Sequence, residues 1–147
     1  MRMVLTRVTS ASVAVGGVVV DELPRPGILL LVGVGHEDTR EDARKLAAKA
    51  WRLRILDGEL SAEQVAAPVM VISQFTLLAD TRKGRRPSWN RAASGAVSQP
   101  LVAAVCEELA ALGAEVHQGR FGADMAVSSV NDGPMTILLD SQSPTAG

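Results

Sequence analysis

Residues 28–34, Ile-Leu-Leu-Leu-Val-Gly-Val, carry no polar side chain. A half-exposed strand alternates apolar and polar positions, and a surface helix leaves a polar stripe. This run does neither. A bilayer span takes about 20 residues, so the run is far too short to cross a membrane. A central strand covered on both faces is what remains. Such a strand demands a layer on each side. The material is there: 47% of the chain is apolar, but only 3% is aromatic and there is no Tyr. Val, Leu, Ile and Ala must therefore build the core.

Around that strand, the Val- and Thr-rich stretches 3–8 and 11–15 read as strands. Gly16-Gly17 joins them to Val18-Val19-Val20 as a hairpin, because both glycines tolerate positive φ. Pro24, Pro26 and Gly27 form a connector. Thr39-Arg40-Glu41-Asp42 reads as a capping box, followed by Ala43, Leu46, Ala47, Ala50 and Leu53 at helical spacing. Asp57-Gly58 reads as a turn, and residues 69–72 as the next strand. A polar loop spans residues 80–95. Ser98 reads as the N-cap of a second helix with Pro100 in its first turn, and Gly113 as its C′ residue. Strands are expected over 114–117, 125–130 and 135–139. The order predicts one α/β (α+β) domain with a mixed sheet and two main helices, rather than a doubly wound parallel fold. The domain is expected to cover residues 1–140, with a frayed tail over 141–147.

The single cysteine, Cys106, permits no intrachain disulfide, and a reducing cytoplasm is the simplest compartment. The first residues do not read as a signal peptide, because Arg7 and several hydroxyl residues interrupt them. A net charge of −1 argues against bulk coating of nucleic acid and leaves room for a local basic patch.

Three segments are candidates for function. Ser73-Gln74-Phe75-Thr76-Leu77 ends an apolar strand. Its plain reading is a strand end with surface hydroxyls. The functional one is a turn whose free peptide N–H groups face a ligand such as an adenine, a ribose or an ester. Asn131-Asp132-Gly133-Pro134-Met135-Thr136 is either an ordinary hairpin turn or a tip that offers the Gly133 and Pro134 carbonyls to a polar group. Sequence alone does not support a cis bond there. Residues 82–91 hold five of the fifteen basic residues, Arg82, Lys83, Arg85, Arg86 and Arg91. They form a solvated loop or a phosphate contact. Trp89 in this loop either stacks on a base or pins the loop to the core, and the second reading is preferred.

Other chemistries lack their residues. There is no phosphate-binding GxxxxGK[ST], no dinucleotide fingerprint and no HExxH. One Cys and two separated His give no zinc cluster, so neither metal nor cofactor is expected. Cys106 lies in the apolar stripe of the second helix and reads as inert core. A Ser73 or Thr76 nucleophile would need a base, and His36 and His117 are both distant in sequence.

Taken together, the chain resembles the D-aminoacyl-tRNA deacylase (D-tyrosyl-tRNA deacylase) family over nearly its whole length. The resemblance rests on Arg7-Val8-Thr9-Ser10-Ala11-Ser12-Val13 and Ser73-Gln74-Phe75-Thr76-Leu77. It rests also on Arg86-Pro87-Ser88-Trp89, where Trp replaces the usual Phe, on Gly119-Arg120-Phe121-Gly122-Ala123-Asp124-Met125, and on Val130-Asn131-Asp132-Gly133-Pro134. It implies a layered β/β/α homodimer that hydrolyses D-aminoacyl-tRNA, and glycyl-tRNA mischarged on other tRNAs, as chiral proofreading in translation. Gly133-Pro134 would be a cis pair inserted into the partner's site, oriented by Arg7. Its carbonyls would hold the substrate's α-ammonium group, with Met125 also at the substrate. Ser73, Gln74, Phe75 and Thr76 would form the catalytic segment, with the N–H groups of Phe75 and Thr76 at the oxyanion and the substrate's 2′-hydroxyl assisting. Arg82, Lys83, Arg85 and Arg86 would contact tRNA. One departure stands out: between Ile55 and Val69 the family's longer hairpin is shortened, so its contacts cannot be carried over. Two rivals remain, a hydrolase of another ester with Thr76 or Ser73 as nucleophile, and a non-catalytic nucleic-acid-binding dimer.

Overall fold

The computed structural model describes residues 1–143. Its strands are β1 (Arg2–Val15), β2 (Val18–Glu22), β3 (Gly27–Gly33), β4 (Val69–Ser73), β5 (Val116–Gln118) and β6 (Met125–Asp140). Its helices are α1 (Arg40–Arg52), α2 (Ala62–Val65) and α3 (Gly95–Ala111). The strands form one mixed sheet in the order β2-β1-β3-β4-β5, with β6 also paired to β1. β1 is antiparallel to β2, β3 and β6, whereas β3–β4 and β4–β5 are parallel.

As its sequence demands, β3 is covered on both faces. Ile28, Leu30 and Val32 join Val69 and Val71 of β4 in a core roofed by α1 and α3. Leu29 and Leu31, with Met70 and Ile72, point the other way into a second core. β1 serves both cores by changing its parity. Met3 and Leu5 face the helices, whereas Val8, Ala11 and Val13 face the second core. The switch coincides with irregular pairing to β6 between Thr6 and Ser10, as a bulge produces. The sheet thus folds over itself, and the layers are sheet, sheet and helix.

α1 begins at Thr39 with the full capping box: Thr39 Oγ1 accepts from the Asp42 N–H, and the Asp42 carboxylate accepts from the Thr39 N–H. The second long helix starts earlier than its sequence suggests. Ser94, not Ser98, is the N-cap; its carbonyl accepts from the Val97 and Ser98 N–H groups at 3.1 and 2.8 Å. Pro100 therefore lies inside the helix, beyond its first turn. The carbonyl it cannot serve is that of Ala96, on the exposed side, where water can satisfy it. The short helix α2 was not expected, although Ser61 and Gln64 form a complete capping box. β5 is shorter and later than the expected 114–117.

Residues 125–130 and 135–139 are not two hairpin strands. Both halves pair with β1 in the same antiparallel sense, residues 125–131 with 8–15 and 136–140 with 2–6. The chain keeps its direction, and residues 132–135 leave the ladder as an excursion opposite Arg7. Asn131 closes that excursion: its Oδ1 accepts from the Met135 N–H, and its Nδ2 donates to Thr136 Oγ1. At the tail, Ser141 is tied down rather than frayed, its N–H donating to the Met1 carbonyl and its Oγ to Asp38. The rest of the expected tail, from residue 144, lies outside the described residues. No helix among the described residues is long and apolar enough to cross a membrane.

Candidate active site

β4 ends at Ser73, and the chain enters a 3₁₀ turn over Phe75–Leu78. Three contacts dock that turn on the sheet. The Gln74 N–H donates to the Val32 carbonyl at 2.7 Å. Leu78 is buried. Gly33 lies beneath, where a Cβ would meet Leu78 Cδ2 at 2.6 Å and the Gln74 carbonyl oxygen at 2.8 Å. Within the turn, the Leu77 N–H bonds the Gln74 carbonyl and the Ala79 N–H bonds the Thr76 carbonyl. The N–H groups of Phe75 and Thr76 have no acceptor among the described residues. They are the orphan donors that the start of any helical turn leaves behind.

This turn borders a cavity of about 500 Å³. Ser73, Gln74 and Phe75 line one side, and Phe121, Asp124 and Met125 line another. Gly119 makes the Met125 side possible, since a Cβ there would meet Met125 Sδ at 2.5 Å and Ile72 Cδ1 at 3.0 Å. Gln74 Nε2 donates to Thr76 Oγ1 in a short contact. Neither histidine serves Ser73 or Thr76. His36 Nε2 bonds the Asn90 carbonyl at 2.6 Å, and His117 lies between Asp21 and Glu115. Among the described residues, no group of three or more His, Cys, Asp or Glu is placed to hold a metal. Cys106 is buried, and burial pushes its thiol up to about 11, so it is no thiolate at neutral pH.

The basic loop reaches the cavity rim through aromatic packing. Trp89 sits edge-on to Phe75, with ring centroids 5.4 Å apart and an interplanar angle of 77°. Both residues are exposed and neither joins a core cluster, so Trp89 pins the loop to the rim and not, as its sequence suggested, to the core. Arg82 is committed within the loop, its guanidinium bonded to both carboxylate oxygens of Asp80. That bond, with the Arg82 N–H, holds the Asp80 carboxyl well below the usual carboxylate range. Lys83, Arg85 and Arg86 are exposed and have no ion-pair partner among the described residues.

Arg7 and the tip of β6 lie apart from this cavity. Arg7 Nε donates to the Asp132 carbonyl and Nη1 to the Ile55 carbonyl, each at 2.9 Å. Asp57 and Asp132 also face the guanidinium, each at 3.6 Å. The shortened hairpin thus contacts the tip of β6 and the second cavity, not the cavity beside the 3₁₀ turn. Its start at Ile55–Asp57 is strapped to the tip through Arg7. Arg7 and Asp132 border a second cavity of about 270 Å³, and Gly133 and Pro134 line neither cavity. The described residues contain no cis peptide bond, so Gly133-Pro134 is trans and the cis pair implied by the resemblance is not found. Its physical basis is the intrinsic preference of X–Pro bonds for trans, about 0.5–1 kcal/mol.

Sequence reading missed the residues that hold the 3₁₀ turn. Arg2 is one: its Nη1 donates to the Leu77 carbonyl at 3.2 Å and its Nε to Asp140 at 2.9 Å. Gly33 is another, hidden inside an apolar run. Phe121, within the Gly119–Met125 segment that carries the resemblance, also lines the cavity.

The chain is similar to known proteins over nearly its whole length. Residues 4–140 match the family described as D-Tyr-tRNA(Tyr) deacylase. The D-aminoacyl-tRNA deacylase of Acidothermus cellulolyticus is 56% identical over 95% of this chain and 99% of its own. That of Nocardia farcinica is 58% identical over 96% of this chain and 100% of its own. Among solved structures, the c-Myc DNA Unwinding Element Binding Protein is 32% identical, with a TM-score of 0.90 over 97% of this chain and 100% of that one. A probable eukaryotic D-amino acid tRNA deacylase shares the fold at 16% identity, with a TM-score of 0.81 over 94% of this chain and 97% of that one. On a match that covers nearly the whole chain, this protein belongs to the D-Tyr-tRNA(Tyr) deacylase family.

Proposed function

We propose that this protein hydrolyses the ester between a D-amino acid and the 3′ end of tRNA, releasing both. The observation that carries the reading is the 3₁₀ turn at the cavity edge, with the Phe75 and Thr76 N–H groups unbonded. An aminoacyl ester is already activated. Water adds to its carbonyl carbon, and the C=O electron pair moves onto oxygen. The two N–H groups receive that oxyanion. Collapse re-forms the carbonyl and breaks the bond to the ribose oxygen, which takes up the proton released by the water through the neighbouring 2′-hydroxyl. Loss of one oxyanion donor typically costs about 3–4 kcal/mol.

A side-chain nucleophile is poorly supported. Thr76 Oγ1 is bonded by the Gln74 amide, which cannot take a proton, and both histidines are engaged elsewhere. Thr76→Ala and Ser73→Ala should each keep measurable turnover. An acyl-enzyme trapped by rapid quench, or abolition of hydrolysis in folded Thr76→Ala, would favour the rival ester hydrolase.

Chiral selection is assigned to Gly133 and Pro134. The tip reaches the cavity of a second copy, where its carbonyls take the α-ammonium group and its bulk leaves no room for an L side chain. A homodimer follows, and β6 exposes Val127, Val130 and Leu138 as apolar surface for it. A fully active monomer in sedimentation would contradict the arrangement. Lys83, Arg85 and Arg86 hold the tRNA backbone, and the cytoplasm is the compartment. One solved relative is named for binding DNA, which keeps the non-catalytic nucleic-acid reading in play. Release of D-amino acid at substoichiometric enzyme excludes it.

A further inference from the structure

The 3₁₀ turn is fixed to the sheet at its start, through the Gln74 N–H and Val32, and from below, through Gly33. Its far end has one exposed weakness. The Leu77 carbonyl has no backbone donor among the described residues. Arg2 supplies the missing donor from Nη1 at 3.2 Å. The same guanidinium is anchored by Asp140, whose carboxylate accepts from Nε at 2.9 Å. Arg2 and Asp140 are cross-strand partners of β1 and β6, so this anchor belongs to the sheet itself. Asp140 is held in turn by the Gln142 N–H at 2.9 Å. A cation at the carbonyl end of a helical turn also opposes the partial negative charge there.

The geometry points to Arg2 as a positioning residue for the reaction: it clamps the carbonyl end of the turn whose other end presents the Phe75 and Thr76 N–H groups. The inference rests on the assignment of those groups to the oxyanion. An ordinary cross-strand ion pair would account for the Arg2–Asp140 bond alone. It does not account for the bond out of the sheet to Leu77. Arg2 does not line the cavity, so its route to the reaction runs through the turn. Its effect is to keep two donors aimed, and so falls on the transition state more than on substrate binding.

The test compares wild type, Arg2→Lys, Arg2→Met and Asp140→Asn as full chains on D-aminoacyl-tRNA, with melting temperatures alongside. Two inhibitors are added: a tetrahedral phosphonate analogue of the D-aminoacyl adenosine, and the planar 3′-amide analogue. In Arg2→Met, kcat is expected to fall about tenfold, short of the about 10²–10³-fold typical when an oxyanion donor is deleted outright. KM and affinity for the planar amide should stay within about twofold. Phosphonate affinity should fall with kcat. Arg2→Lys should recover part of the loss, and Asp140→Asn should show a smaller loss of the same kind. Unchanged kcat in folded Arg2→Met, or equal weakening of both inhibitors, overturns the assignment. Should Arg2→Met fail to fold, Asp140→Asn decides by the same two criteria. If wild type itself shows no turnover, the functional reading fails and this inference with it; normal wild-type turnover with an indifferent Arg2 sinks this inference alone.

Discussion

Arg7 lies so close to Gly133 that a Cβ on Gly133 would stand 1.9 Å from Arg7 Nη2. Gly133 also has φ +107°, a region L residues rarely adopt. Gly133→Ala should therefore displace the guanidinium and break its bonds to Asp132 and Ile55. The strained backbone adds about 1–3 kcal/mol. The expected outcome is a lower urea midpoint together with weakened D-over-L preference. Arg7→Lys should show the same loss of preference with less loss of stability, since a single ammonium cannot span both carbonyls. A Gly133→Ala protein with wild-type midpoint and preference would show that the Arg7 contact is incidental.

Two glycines at the end of β3 offer a matched pair. A Cβ at Gly33 would meet Leu78 Cδ2 at 2.6 Å and the Gln74 carbonyl oxygen at 2.8 Å, whereas one at Gly35 finds nothing nearer than 3.4 Å. Gly33→Ala should push the 3₁₀ turn off the sheet and cut kcat by about tenfold or more, as small misplacements in a site do. Gly35→Ala should be close to neutral. Equal effects of the two substitutions on kcat would contradict the docking role given to Gly33.

The basic loop should set affinity for tRNA and leave the chemical step alone. Arg82 is already paired with Asp80, so its phosphate contact is discounted. Neutralising Lys83, Arg85 and Arg86 together should reduce the slope of log K against log salt by about 2–3, close to one unit per lost phosphate contact. Neutralising Arg82 alone should change it far less. A collapse of kcat with an unaltered slope would place these residues in catalysis instead.

β2 and β5, the two ends of the sheet order, meet through His117. Its Nδ1 bonds Asp21 of β2 at 2.8 Å, and its Nε2 bonds Glu115 at 3.0 Å, with Arg25 on the far side of Glu115. Partial burial opposes charge on His117, but the two carboxylates outweigh it and raise its pKa above the ordinary 6.5. Burial likewise opposes charge on Asp21, yet its bonds from His117, Gln118 and Glu22 hold it below 3.8. A raised His pKa gives stability that is complete below 6.5 and is lost as pH rises through the folded value. A depressed Asp pKa gives stability present above 3.8 and lost as pH falls. The clasp therefore contributes most between about pH 4 and 6.5. Urea midpoints of wild type and His117→Gln should differ most near pH 5 and draw together as pH rises past the folded His117 pKa. A difference that grows with rising pH would reverse the sign and refute the account.

Much of this fold was legible because its signals are local. Residues 28–34 declared a strand covered on both faces, and Thr39 with Asp42 declared a helix start. One local signal misleads. Ser98 and Pro100 form a good helix start on paper, but Ser94 supplies the carbonyl that the Val97 and Ser98 N–H groups use. The continuity of β6 was not legible, because it depends on both halves finding β1, more than a hundred residues away. In the site, the segment from Ser73 to Thr76 stood out by its polarity at the end of an apolar strand. Arg2 did not, since its partners Leu77 and Asp140 lie 75 and 138 residues along the chain.

The proposed reaction is hydrolysis of D-aminoacyl-tRNA at a site made of backbone donors. Its most direct test is multiple-turnover release of amino acid from one tRNA charged with either the D or the L form of the same residue. Enzyme is held well below substrate. Many turnovers per site are expected on the D-substrate and little or none on the L-substrate. Equal rates on both forms would contradict chiral selection, and a single equivalent released per site, or none, would contradict the enzyme itself.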